Sequence, residues 1–73
     1  MIATETKIQV IESELRSLER QEYQYELQCK AFKATGQEDM LEHRTELLVQ
    51  TKAKIDFYNQ EMEKLKPKKD EDK

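Results

Sequence analysis

Cys29 and His43 are the only cysteine and the only histidine in this 73-residue chain. A thiolate beside an imidazole is the simplest arrangement for covalent catalysis, but it also needs an orienting acid and a recess that excludes water from the substrate. Asp39 and His43 stand four residues apart with Glu42 beside His43, which sets the start of a divalent-cation site on one helical face. Two side-chain ligands are too few to hold the ion. The remaining carboxylates are interspersed with Lys and Arg, so no acid/base dyad forms, and a chain with one glycine has no glycine-rich phosphate loop. The sequence therefore predicts no enzyme, no catalytic residue, no metal site, no cofactor and no small-molecule substrate.

The elements that carry these residues are more informative than the residues themselves. The segment Ala34-Thr35-Gly36-Gln37-Glu38 divides the chain into two arms of similar length. Ile8, Ile11, Leu15, Leu18, Glu22, Tyr25, Cys29 and Phe32 step by three and four along the first. Leu41, Arg44, Leu48, Thr51, Ile55, Tyr58, Met62 and Leu65 do the same along the second. Folded back at Gly36, the arms oppose these positions in eight pairs whose residue numbers each add to 73, from 32 with 41 down to 8 with 65. That is the layering of an antiparallel helical hairpin with a coiled-coil-like seam, crossing near 20°. Glu22/Thr51 and Cys29/Arg44 are the two polar layers. Long side chains there are expected to leave the narrow seam for water, or alternatively to fix its register.

The boundaries expected on this reading are a flexible N-terminus over 1–5, a helix over 6–34, a turn at 35–37, a helix over 38–66 and a disordered charged tail over 67–73. Thr6 with Gln9, or Thr4, is the expected start signal of the first helix. Gly36 suits the left-handed position that ends it, and Thr35 with Glu38 matches a capping box for the second. Pairs such as Glu12–Arg16 and Glu26–Lys30 are placed to support the first helix. Pro67 stops the second.

Composition agrees with an all-α chain: 36% hydrophobic and 40% charged residues is a long-helix balance, low for a globular core. The net charge of −3, with both signs mixed, offers no basic face to nucleic acid. No apolar run approaches a bilayer span and residues 1–7 lack the features of a signal peptide, so a cytoplasmic protein that avoids membranes is expected. A single cysteine fits a reducing compartment.

A two-helix hairpin of this size is too small to be held by one seam, and a second apolar layer is needed. The sequence supplies candidates nearly opposite the seam: Tyr23, Leu27, Ala31 and Ala34 on the first helix, Val49, Ala53 and Phe57 on the second. Met40 and Leu47 widen the seam of the second helix near the turn. Tyr23, Leu27, Ala31, Met40, Leu47, Val49, Ala53 and Phe57 are thus the expected partner-binding residues. In architecture the hairpin resembles the very small helix-turn-helix co-chaperones that guard needle subunits in type III secretion, which also pair two helices across a Gly-containing turn. The resemblance covers the hairpin and rests on no diagnostic motif. It implies an adaptor or chaperone-like module that covers an amphipathic helix of a partner protein. The alternative is a self-assembling structural or regulatory coiled coil, a homodimeric four-helix bundle.

Overall fold

From Thr4 to Ala34 no glycine or proline interrupts the chain, so backbone hydrogen bonding continues until Gly36 breaks it. In a computed structural model, which describes residues 2–66, α1 spans Thr4–Ala34 and α2 spans Glu38–Leu65. The two pack against each other as an all-α antiparallel hairpin. The expected tail at 67–73 and Met1 lie outside the described residues.

The turn is a Schellman motif. Gly36 has φ +76°, its N–H donates to the Lys33 carbonyl at 3.3 Å, and the Gln37 N–H donates to the Phe32 carbonyl at 2.9 Å. These bonds satisfy carbonyls that the end of α1 would otherwise leave open. Thr35 does not form the expected capping box with Glu38. It is the C-cap of α1, and its hydroxyl turns back to the Ala31 and Phe32 carbonyls at 3.0 and 3.3 Å while accepting from Gln37 Nε2 at 3.0 Å. The N-cap of α2 is Gln37, without a side-chain cap; Glu38 and Asp39 offset this by placing carboxylates at the positive end of the helix dipole.

α1 also starts earlier than expected, at Thr4, with the Ala3 carbonyl accepting from the Lys7 N–H at 3.0 Å and no side chain capping it. Thr4 and Glu5 are therefore helical, and neither Thr4 nor Thr6 acts as the cap. Glu5 in the first turn supplies the favourable dipole charge instead.

All sixteen seam positions are buried or half-buried, and among the described residues only Glu26, Gln28, Leu47 and Glu61 join them in being less than exposed. The seam is thin: Leu18, Thr51 and Met62 are its only buried residues, and no described side chain is fully enclosed. The hairpin is a single layer, 54 × 28 × 14 Å, with a radius of gyration of 16.8 Å where a compact domain of this length has about 11 Å.

The central polar layer is satisfied in two ways. Thr51 donates its hydroxyl to the Leu47 carbonyl at 2.8 Å, which keeps a small polar residue in place at the centre. Opposite it, the Glu22 carboxylate reaches out to Lys52 Nζ at 3.8 Å across the helices. With Lys52 exposed and Glu22 half-buried, water screens this pair, and it contributes on the order of 0.2–1 kcal/mol. The pairs Glu12–Arg16 and Glu26–Lys30 do not close into ion pairs; along one helix the short contacts are Lys64–Glu61 and Lys66–Glu63.

Leu18→Asp is expected to abolish the cooperative helical melt followed by circular dichroism, because it puts a charge into the most enclosed apolar site. Glu22→Leu should keep the hairpin and raise its melting midpoint, and a collapse of helicity in that variant would contradict the snorkelling geometry. A Cβ on Gly36 meets nothing within 4 Å, so the cost of Gly36→Ala is conformational; urea unfolding should show a loss of about 1–2 kcal/mol.

Candidate protein-interaction surface

Continuing the seam outward along each helix divides the remaining positions among two broad faces and two narrow edges. On one broad face α1 presents Glu5, Glu12, Glu19 and Glu26 in steps of seven. The cross-helix contacts Glu22–Lys52 and Cys29 Sγ–Thr45 Oγ1 (3.7 Å) lie on this side. On the other broad face the corresponding α1 positions are Lys7, Glu14, Gln21 and Gln28, and α2 contributes Met40, Leu47, Lys54 and Glu61. Here Arg44 Nε donates to Gln28 Oε1 at 2.8 Å and the guanidinium lies 5.8 Å from the Phe32 ring centroid. That cation–π contact holds the arginine along the seam.

The expected partner-binding residues do not form one surface. Tyr23 and Val49 belong to the glutamate-bearing side. Leu27 and Ala53 point along the two narrow edges, in opposite directions, because each lies opposite the seam of its own helix. Ala31, Met40, Leu47 and Phe57 gather on the glutamine-bearing side. Tyr23, Leu27, Val49 and Phe57 are between 46% and 62% exposed, Met40 is exposed, Leu47 is half-buried against the seam, and Ala31 and Ala53 are exposed. Phe57 stacks edge-on against Tyr58 at 5.4 Å between centroids, which fixes its ring beside the seam without covering it.

Two further exposed apolar residues, Ile2 and Val10, lie outside the expected set. With Ile11 and Leu65 they line an apolar hollow of about 440 Å³ at the open end of the hairpin, edged by Lys7, Glu61 and Lys64. Reading only the stripe opposite the seam passes over Val10, which sits one position out from the flank. Comparing the two flanks of each helix for charge finds it, since one flank of α1 is nearly all glutamate and the other is mixed.

Cys29 and His43 have different hydrogen-bond partners. The Cys29 thiol is half-buried and engaged with Thr45, and the His43 ring hydrogen bonds through Nδ1 with the Arg44 guanidinium. Asp39, Glu42, His43 and Glu46 border an open hollow of about 300 Å³ on α2. Among the described residues no three His, Cys, Asp or Glu side chains are arranged to hold a metal ion. Nor, among them, is any helix long and apolar enough to cross a membrane.

No protein-family model matches the chain, and neither a curated protein nor a solved structure matches it.

Because Val10 and Val49 contact so little of their own hairpin, Val10→Ser and Val49→Ser should each leave the stability of the dilute, isolated chain within about 0.5 kcal/mol of the parent in urea unfolding. A larger loss would mean that these side chains pack within the hairpin.

Proposed function

We propose that this chain is a protein-interaction module, an adaptor or chaperone-like hairpin that covers an amphipathic helix of a partner protein in the cytoplasm. One observation carries the reading: a single-layer hairpin with no fully enclosed side chain keeps Tyr23, Leu27, Val49 and Phe57 largely in water. Exposed aromatic and aliphatic side chains on a rigid helical surface are the usual anchors of helix-in-groove recognition. A partner helix laid along one of these faces would convert that side into a three-helix core and would itself gain an apolar cover. Such binding stabilises the hairpin by mass action, so the free chain is expected to be the less stable form.

On this reading the module works through contact and not through catalysis. Nucleic acid is an unsuitable partner for a surface whose longest like-charged row is glutamate. The architectural likeness to needle-subunit co-chaperones points the same way.

The experiment is affinity capture from the native host, repeated with Leu27→Glu combined with Phe57→Glu. Loss of a particular protein by the double variant, with its helical circular dichroism intact, is the expected result. The purified pair should then melt at least several degrees above the free chain. Unchanged capture and unchanged melting in the double variant would leave these side chains as ordinary surface and remove the proposal.

A further inference from the structure

The two broad faces of the hairpin differ in a way that names an occupant for one of them. We propose that the free chain is a two-fold symmetric dimer, a four-helix bundle in which the glutamine-bearing faces of two copies pack head to tail. This rests on the reading of the hairpin as one layer of a two-layer assembly, and adds which face is used and what covers it when no other protein does.

Charge selects the face. The row Glu5, Glu12, Glu19 and Glu26, offset only in part by Arg16, Lys30, Lys33 and Lys52 on the same face, would be brought against its own copy across a two-fold axis. On the opposite face the centre is Gln21, Gln24 and Gln50, neutral side chains that both donate and accept hydrogen bonds, with Lys54 as the nearest charge. Lysines and glutamates elsewhere on that face are few and of both signs.

Shape selects the orientation. The apolar side chains of this face include Met40, exposed near the turn with Leu47 half-buried beside it, exposed Phe57 farther along α2, and the hollow between Val10, Ile11 and Leu65 that opens at the far end. A two-fold axis crossing the face at mid-length carries the turn end of each copy onto the open end of the other. It brings Met40 and Leu47 to the level of the partner copy's hollow, and does so twice, as an isologous interface requires. An axis along the hairpin would instead bring the two hollows together and leave both unfilled.

The area suffices. The face projects 54 × 28 Å, on the order of 1,500 Å², and a stable interface needs about 800 Å² from each partner. Roughly half of the face in contact is enough, and bundle packing of helices on helices supplies that.

Light scattering on the eluted full chain should give twice the 8.8 kDa chain mass at micromolar concentration. Val10→Glu combined with Met40→Glu, both exposed in the single hairpin, should halve that mass and leave the chain helical in circular dichroism. Tyr23→Glu combined with Val49→Glu, on the other broad face, should leave it a dimer. To read orientation, chains with Cys29→Ala and Met40→Cys are mixed with chains with Cys29→Ala and Glu61→Cys and then oxidised; the mixed disulfide should exceed the Met40→Cys self-linked product. A monomeric parent chain overturns the proposal, as does a dimer broken by the Tyr23/Val49 pair and not by the Val10/Met40 pair. Preferential self-linking of Met40→Cys overturns the head-to-tail arrangement. A monomer that nevertheless captures a host protein through Leu27 and Phe57 removes the dimer alone and leaves the adaptor reading standing.

Discussion

Two helices laid side by side have one seam, and one seam cannot surround a side chain. Every property of this molecule follows from that limit. Thr51 and Leu18 near mid-seam, and Met62 one layer in from the open end, come closest to enclosure. Elsewhere each apolar residue has a wall on one side and water on the other. Burial of apolar area is the main favourable term in folding, and the ordering of sixty-odd residues opposes it at about 1–2 kcal/mol per residue for the backbone alone. Such a layer leaves much of its apolar surface in water.

The seam was legible because a step of three and four is a geometric requirement of helices in contact, and the antiparallel pairing is checked twice, once in each arm. Sixteen positions could be assigned from spacing, including the unpromising Glu22, Thr51 and Arg44, because a polar residue in the right phase still occupies the phase. The caps were less legible. Thr35 carries the residue type of an N-cap, but its place after Ala34 makes it the last residue of α1, and the carbonyls behind it were nearer than the amides ahead. Type and spacing do not say which of two adjacent helix ends a hydroxyl will serve. The start at Thr4 was missed for a related reason: a helix does not need a side-chain cap when water can serve its first amides.

The outer residues were legible one by one but not as a surface. Whether Tyr23 and Leu27 face the same partner depends on which way round the hairpin each flank turns. That emerges only when the two helices are placed together and their flanks are joined into faces. The polar positions proved as informative as the apolar ones, because Glu5, Glu12, Glu19 and Glu26 gather on one broad face while Gln21, Gln24 and Gln28 lie on the other.

The position of Gly36 also decides the order in which the molecule assembles. The seam pair nearest the turn, Phe32 and Leu41, is 9 residues apart in sequence, whereas Ile8 and Leu65 are 57 apart. Closing the larger loop from a random chain costs roughly 1.6 kcal/mol more entropy than closing the smaller one. Each layer formed shortens the loop that the next has to close, so the hairpin zips from its turn outward, and contacts local in sequence make that fast. Run backward, the same order makes the mouth of the hairpin the first part to fray. The hollow at Val10, Ile11 and Leu65 lies at that mouth, so a molecule docked there would clasp the two helices at the point where they would otherwise begin to part.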